Sequence, residues 1–420
     1  YAYINTVVHK AVKKKARKDN LTVSDKIDQI VTNRVLALPI FAVIMCVVYY
    51  IAVSSLGGIV TDWTNDTLFG TWIQPGVQTL LENAGAADWV VSLVVDGIIG
   101  GLAAPIGFAP QMAIVFFFLS ILEDTGYMAR VAFVMDRPLR KLGLSGRSFV
   151  PMLMGFGCSV PAIMATRTLS SERDRKMTIL LTPFMSCSAK ILIYTTIAGA
   201  FFEPQYRWLV LVGLYLFGII CGILYSLILK VTVFHGEPVP FVMELPNYRL
   251  PGAKSVCQLI WEKAKDFIQK AFTVIFAASI VIWFLQTFDI RLNVADSTEN
   301  SLLAMLGSLF APIFAPLGFG DWRASTALIT GLTAKESVVS TLTLLLGGDV
   351  SQIQTLFTPF TAIVFLVFTL LYTPCVAAIA TVKRELGSVR SAIATVLIQC
   401  GIAWVMAFLV RCVGMIFGIA

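Results

Sequence analysis

The chain has 420 residues, of which 57% are hydrophobic and 14% charged, and its formal net charge is +7. A soluble globular domain carries about 25% charged residues, so this composition argues against a soluble enzyme or binding domain. The positive charge lies between long apolar stretches, which is typical of loops that face anionic lipid and not of a nucleic-acid-binding surface.

Charge-free runs predict the membrane segments. A helix needs about 20 apolar residues to cross the hydrocarbon core, because backbone polar groups must be paired there. Runs without charge cover 35–61, 97–122, 148–166, 208–229, 271–288, 301–320, 350–382 and 391–410, and two further apolar stretches, 177–202 and 324–348, carry few charges. We therefore predict an all-α polytopic transmembrane bundle with about eight to ten membrane segments.

The first 34 residues predict a cytoplasmic lead-in. They contain a cluster of Lys and Arg between positions 13 and 18, and cytoplasmic segments are enriched in these residues. Neither a secretory signal pattern nor Met opens the sequence, so we expect an upstream domain to precede it. From 35 to 129 there is no Lys or Arg, and the acidic residues there predict an outer loop: Asp62, Asp66, Glu82, Asp88 and Asp96.

Segment 148–166 predicts a broken or re-entrant helix. Basic loops lie on both sides of it, so a simple crossing would place one of them outside. It also contains Pro151, Gly155, Gly157 and Pro161, which interrupt helix geometry. Irregular backbone is tolerated at membrane depth only where protein or a water-filled cavity covers it, so the segment is predicted to line a transport path.

The chain divides into a first membrane half (35–229), a cytoplasmic linker (230–270) and a second membrane half (271–420). The linker contains several Lys and Pro residues and is predicted to end in an amphipathic helix. This division places the two membrane halves on either side of one basic connection.

Each half contains an acidic motif and then a cysteine motif. LEDTGYMAR, with Glu123, precedes GFGCSVPAIMAT, with Cys158, by 35 residues, and TAKESVVSTL, with Glu336, precedes YTPCVAAIAT, with Cys375, by 39 residues. The repeated order predicts an internal duplication with broken helices in both repeats. Duplicated transporters place their substrate sites at the repeat interface.

Charged residues inside apolar stretches are candidates for an ion path, because a charge there costs several kcal/mol unless it is paired or solvated. Glu123 and Glu336 are predicted to contact the substrate, and Asp124 lies beside the first of them. Two roles are open for Lys190 and Lys335: they neutralise a carboxylate and hold helices together, or they lie on the ion path.

Three of the eight cysteines differ from the rest by their neighbours. Cys158 in GFGCSVP, Cys187 in PFMSCSAK and Cys375 in YTPC stand beside Pro, Gly or Ser, whereas most of the others lie in smooth apolar runs. No CxxC pair is present, so free thiols are expected and not disulfides. A lone membrane cysteine is commonly a packing residue, but three in broken helices predict a metal path.

The nearby thioethers and prolines extend this candidate site. Met154 and Met185 add sulfur ligands, and Pro161 and Pro374 are expected to shape the helix breaks. Thiolate and thioether suit soft first-row metals, while carboxylate suits harder ones. The two histidines lie outside the apolar stretches, so the residues predict transient binding of Fe(II), Mn, Co or Zn without histidine.

Nucleotide chemistry is not expected from this chain. The phosphate-binding pattern GxxxxGK[ST] is absent, as is any polar segment long enough for a nucleotide-binding fold. The residues therefore predict a transporter and not an enzyme, with no tightly bound cofactor.

Long strings of the sequence resemble the ferrous iron transport protein B (FeoB) family, in the family's order, from about residue 25 to the end. They are LEDTGYMARVAFVMDRPLRKLGLSGRSFVPMLMGFGCSVPAIMATRTL, PFMSCSAKILIYT, FVMELPNYRLP, TAKESVVSTL and LLYTPC. The resemblance implies a gate-type permease for Fe(II) in the bacterial cytoplasmic (inner) membrane, with a cytoplasmic N-terminus. The family cysteines proposed to guide iron correspond to Cys158, Cys187 and Cys375.

The resemblance also implies partners. Family members carry an upstream GTP-binding domain and a helical guanine-nucleotide dissociation inhibitor-like domain, of which residues 1–34 would be the tail. GTP and Mg would act only through that domain. Small accessory Feo proteins, the lipid bilayer and a homo-oligomer are the other implied partners, and nucleic acid is not among them.

Two alternatives stay open. One is a gate-type transporter of another divalent metal or of a nucleoside-like solute, which needs a roomy pocket with Asn, Gln and Ser. The apolar stretches contain few such amides, notably Gln111 and Gln286. The other is a membrane receptor or assembly scaffold, in which the charges only hold helices together.

Overall fold

The computed structural model describes residues 23–33, 36–236, 248–249, 252–291, 293–295, 298–347 and 350–418. These residues fold into helices, and the described part of the chain contains no strand, only an isolated bridge between Phe288 and Val294. The predicted all-α fold is confirmed. Most of the basic lead-in, and the linker from 237 to 247, lie outside the described residues.

The α-helices are numbered here in chain order. Those before the linker are α1 Val23–Val31, α2 Ala37–Tyr49, α3 Leu56–Asp62, α4 Gln74–Asn83, α5 Asp88–Ser92, α6 Gly101–Asp124, α7 Tyr127–Lys141, α8 Phe149–Gly157, α9 Ser159–Ala165, α10 Glu172–Leu181, α11 Ser188–Phe201 and α12 Pro204–Thr232. Those after it are α13 Ala253–Lys270, α14 Phe276–Thr287, α15 Leu302–Phe314, α16 Trp322–Thr330, α17 Ser337–Leu345, α18 Ile353–Leu356, α19 Pro359–Leu371, α20 Val376–Leu386 and α21 Val389–Ile416. π-helical turns at Tyr50–Ser54, Trp63–Ile73, Leu93–Gly100 and Ala271–Ile275 extend several of them.

Five helical stretches among the described residues are long and apolar enough to cross a membrane, or seven if each of two bent helix pairs counts as one span. The five are Ala37–Asn83, Glu172–Phe201, Pro204–Thr232, Pro359–Leu386 and Val389–Ile416. The polytopic bundle is therefore confirmed. The number of full-length spans is lower than the number of apolar runs, because runs such as 148–166 fold into two short helices and not into one long one.

The acidic stretch after the first apolar run is helical in the structure. Sequence predicted a loop around Asp62 and Glu82, whereas the helical stretch Ala37–Asn83 continues through both positions by way of π-helical turns. The connection is therefore helical and not an open loop: a bend at Ser55 interrupts it, and Pro75 occupies the first turn of α4, where proline is tolerated. Its placement on the outer side stays a prediction.

Helix α19 forms the centre of the largest hydrophobic core. Its residues are apolar all round, and the side chains from Val364 to Val367 are all buried. Such a helix is stable only where other helices surround it, and here residues of α11, α12, α16 and α21 pack around it. In contrast, α12 and α21 leave large apolar side chains such as Leu216 and Leu397 exposed. These outward faces form a lipid-facing surface.

The LEDTGYMAR motif is a sharp bend and not a straight helix. The segments Ala109–Asp124 and Tyr127–Lys141 meet at 81°. Gly126 has φ +80°, a conformation that favours glycine, and the Arg130 Nη1 group donates to its carbonyl at 2.9 Å. The same guanidinium, 1% exposed, pairs with Asp28 of α1 at 2.5 and 3.1 Å. Breaking a buried pair of this kind costs about 3–5 kcal/mol, so Arg130 holds the bend and α1 together.

Candidate metal pathway

Each of the three predicted cysteines occupies the N-cap position after a helix break. Cys158 separates α8 from α9 with extended backbone (φ −151°, ψ 135°). Cys187 precedes α11 with ψ 165°, and Cys375 precedes α20 with ψ 159°. All three are free and half-buried. The breaks thus place three thiols at helix starts instead of inside continuous helices.

Proline chemistry explains where these breaks fall. Pro374 pushes the residue before it out of the helical region, which ends α19 shortly before Cys375. Pro161 lies in the first turn of α9. The N–H groups of a first turn have no partner within the helix, so proline is tolerated there. The prediction that Pro161 and Pro374 shape the breaks fits these positions, although only Pro374 lines the cavity that the cysteines share.

The breaks from both halves surround one cavity of about 90 Å³, the central cavity. Seven of the predicted site residues line it: Cys158, Cys187, Cys375, Lys190, Lys335, Glu336 and Pro374. Hydrogen bonds join the breaks. The Ser188 hydroxyl donates to the Gly157 carbonyl at 3.2 Å, and the Val376 N–H donates to the Leu332 carbonyl at 2.7 Å. The structure therefore brings the thiols, two lysines and one carboxylate of distant motifs together.

Glu336 is the carboxylate of the central cavity. It is the N-cap residue of α17 and follows a run of turns after α16. The positive end of a helix dipole favours an anion at this position. Glu336 can therefore offer oxygen to a cation in the space that the three cysteines line.

The two lysines of the central cavity differ in their contacts. Lys190 Nζ donates to the carbonyls of Pro183, Met185 and Leu370, at 2.9, 3.2 and 2.7 Å. Lys335 Nζ is buried without a hydrogen-bond acceptor among the described residues, and it lies 2.9 Å from the centre of the Tyr372 ring. Neither lysine forms an ion pair with Glu123 or Glu336 in the described part of the chain.

Glu123 belongs to a second cavity. This space of about 330 Å³, the Glu123 cavity, is also lined by Met154, Pro161 and Arg167. Val160 lines both it and the central cavity, so the two are adjacent. The predicted set is therefore divided between neighbouring cavities, with Met154 and Glu123 in one and the cysteines in the other.

Met185 and Asp124 line neither cavity. The Met185 side chain is buried and packs against Gly155 and Gly222. Its carbonyl, and not its sulfur, takes part in the site, by accepting from Lys190. Asp124 ends α6, half-buried beside the bend at Gly126. The Met185 thioether therefore lies outside the lining of both cavities, and its role as a ligand stays a prediction.

Sequence reasoning missed two groups. Met112 of α6 lines the central cavity, but it lies in a regular helix with no break to draw attention to it. The second group ties the halves together: Arg167 and Arg175 both pair with Glu385, whose side chain is 2% exposed. Basic clusters were visible in the sequence, but their shared carboxylate lies about 200 residues away.

No three His, Cys, Asp or Glu side chains in the described ranges are close enough to hold a metal ion together. Among the described residues, the thiols and the carboxylate of the central cavity are therefore separate candidate ligands and not a closed coordination shell. Such an arrangement allows an ion to move from one contact to the next.

Family models match both halves. One described as "Nucleoside recognition" (Gate) matches residues 106–201 and 268–389, and one described as "Ferrous iron transport protein B C terminus" matches 211–263. The first covers both sets of breaks that form the central cavity. No solved structure matches the chain significantly.

Curated relatives match almost the whole chain. A Fe(2+) transporter FeoB of Campylobacter jejuni is 37% identical over 97% of this chain and 68% of that protein. One of Staphylococcus aureus is 39% identical over 95% of this chain and 60% of that protein. A Fe(2+) transport protein A/Fe(2+) transporter FeoB fusion protein of Porphyromonas gingivalis is 38% identical over 94% of this chain and 52% of the fusion. The chain thus spans between half and about two thirds of these relatives.

Proposed function

The chain belongs to the ferrous iron transport protein B (FeoB) family, and on that premise we propose that it is the permease through which Fe(II) crosses the bacterial cytoplasmic membrane. One observation carries the proposal. Three cysteines at three helix breaks, drawn from both halves, line one cavity together with Glu336. Fe(II) meets sulfur and carboxylate ligands there without histidine.

The cysteines and Glu336 suit a site through which Fe(II) passes better than one that binds it permanently. Cysteine sulfur favours soft first-row metals over Mg or Ca, and carboxylate accepts Fe(II) as well. A transported ion must bind well enough to enter and weakly enough to leave. Ligands that are not gathered into one closed cluster meet both requirements, because the ion exchanges water for one or two protein groups at a time.

The dimensions of the central cavity count against an organic solute. Pockets for small organic molecules are about 300–1,000 Å³, and the central cavity has about 90 Å³. None of its lining residues is Asn or Gln, the amides that a nucleobase would need. A partly dehydrated metal ion fits this space, so the nucleoside alternative is not favoured.

The remaining parts of the proposal are those that the family resemblance implies. We expect the N-terminus on the cytoplasmic side and GTP-dependent control by a domain upstream of residue 1, with Mg used only there. The Porphyromonas gingivalis relative is a fusion of protein A with FeoB, which supports a small accessory protein as a partner. A homo-oligomer is a further part of the proposal.

The test is Fe(II) uptake by the full-length protein in proteoliposomes. Cys158→Ser, Cys187→Ser and Cys375→Ser are each expected to lower the uptake rate at equal protein content. Cys46→Ser, an exposed residue of helix α2 that does not line the central cavity, is the matched control and is expected to transport at the wild-type rate. Unchanged uptake in all three cavity variants, or equal loss in the control, would refute the thiol path.

A further inference from the structure

A third cavity adjoins the central one on the side of the acidic segment. It has a volume of about 240 Å³ and is lined by Asp96, the hydroxyls of α17 and of the preceding break, and Gln286 of α14. Thr333 lines both this space, the Asp96 cavity, and the central cavity. The two spaces therefore meet at the break that carries Lys335 and Glu336.

Six of the thirteen residues that line the Asp96 cavity carry a hydroxyl group. Ser337 and Ser340 follow Glu336 on α17, and Ser279 faces them from α14. Carboxylate, hydroxyl and amide oxygens are suitable partners for a hydrated divalent cation, because they accept from its water shell or replace part of it.

The Asp96 carboxylate is held in place without being neutralised. The Ser92 hydroxyl donates to Asp96 Oδ2 at 2.9 Å, and the Trp283 indole N–H donates to the same hydroxyl at 3.1 Å. No Lys or Arg of the described chain forms an ion pair with Asp96, which is exposed. A fixed and uncompensated negative charge raises the local concentration of cations.

Close packing keeps this wall in place. A Cβ at Gly101 would lie 2.6 Å from the Ser279 Cβ, and one at Gly97 would lie 3.0 Å from the Trp283 ring. The two glycines therefore allow α14 to approach the segment that carries Asp96. This contact brings the Trp283–Ser92–Asp96 chain of hydrogen bonds and the hydroxyls of α17 to one space.

We propose that the Asp96 cavity is the outer capture site, where a hydrated divalent cation binds before it enters the central cavity. The inference rests on the proposed transport function and adds a site to it. The Asp96 cavity, at about 240 Å³, is more than twice as large as the central cavity, at about 90 Å³, so it has more room for an ion that keeps its water shell. The ion must therefore lose water at the break 331–336, where Glu336 and the thiols replace it. The absence of Lys and Arg from 35 to 129 places this side outside.

The first experiment separates capture from passage in full-length protein reconstituted in proteoliposomes. Asp96→Asn is expected to raise the KM for Fe(II) uptake about fivefold at low ionic strength, with kcat within about twofold of wild type, and high salt should shrink the difference. Asp88→Asn, an exposed acidic residue of the same segment outside the cavity, is the control and should leave KM unchanged. Equal KM in wild type and Asp96→Asn overturns the capture site.

The second experiment does not depend on transport. In Ser340→Cys, a membrane-impermeant thiol reagent added outside should label the new thiol, and Mn(II) should slow the labelling. Thr168→Cys, in the Glu123 cavity, should react only from the opposite side. If wild-type protein carries no Fe(II) flux, the proposed function fails, but Mn(II) protection of Ser340→Cys still supports a cation site. If flux is normal and Mn(II) gives no protection, the capture site fails alone.

Discussion

The central cavity contains one buried lysine from each half, and the amines of the two lysines make different contacts. Lys190 and Lys335 are both 2% exposed, and both lie beside a helix break. Lys190 donates to three carbonyls, whereas Lys335 has only the face of the Tyr372 ring and no hydrogen-bond acceptor among the described residues.

The carbonyls around Lys190 explain its role. Pro183 and Met185 belong to the turn before α11, and Leu370 lies in the last turn of α19, where helical carbonyls lack a partner. An ammonium group has three N–H donors, and those of Lys190 donate to three backbone carbonyls at the helix breaks. Lys190 therefore joins the first half to the second. A buried polar group without an acceptor, such as Lys335, is costly and is typical of a functional position.

Lys190→Met should have the largest effect. It leaves three buried carbonyls without a donor, and we expect a loss of about 3–5 kcal/mol in stability together with loss of uptake. Thermal unfolding in detergent measures the change. Lys230→Met is the matched control, because Lys230 contacts one carbonyl, that of Lys141, at the surface. Equal melting temperatures in the two variants would show that Lys190 does not join the halves.

Glu385→Gln tests the second tie between the halves and should have the next largest effect. The substitution leaves Arg167 and Arg175 without the carboxylate that both share, and these side chains are 44% and 32% exposed. Because water reaches both guanidinium groups, we expect a loss of only about 1–3 kcal/mol. Unfolding at low and high salt provides the measurement, and the difference from wild type should shrink at high salt. If Glu385→Gln lost as much stability as Lys190→Met, the expected order of the two effects would be wrong.

The sequence predicted the breaks but not their partners, and the lysines show why. Pro and Gly act on their own neighbours, so the breaks at Cys158 and Cys375 could be predicted from GFGCSVP and YTPC. The acceptor at Leu370 lies 180 residues from Lys190, and only tertiary packing brings it near. For the same reason the sequence predicts the sulfur of Met185 as a ligand but does not indicate that its side chain is buried or that its carbonyl accepts from Lys190.

Lys335→Met should change transport more than stability. Replacing an unsatisfied polar group by an apolar one of similar length is expected to alter stability by less than about 1 kcal/mol, or to raise it. Without the amine beside Glu336, a cation binds more tightly in the central cavity and leaves more slowly, so both KM and kcat for Fe(II) should fall. Uptake kinetics and melting temperature, measured on the same preparation, check both effects. A large drop in melting temperature with unchanged kinetics would make Lys335 a structural lysine like Lys190.

The smallest effect is expected from Tyr372→Phe, and its companion variant Tyr372→Leu tests whether the Tyr372 ring holds Lys335 in place. The Tyr372 hydroxyl is buried without a hydrogen-bond partner in the described chain, so Tyr372→Phe should change stability by less than about 0.5 kcal/mol. Tyr372→Leu removes the ring and with it a desolvated cation–π contact of about 2 kcal/mol. If the ring holds the amine, the cost of Tyr372→Leu should be smaller in the Lys335→Met background, and a double-mutant cycle of melting temperatures measures this difference. Equal costs in both backgrounds would mean that the ring contributes only packing, and the position of Lys335 would then depend on the break 331–336 alone.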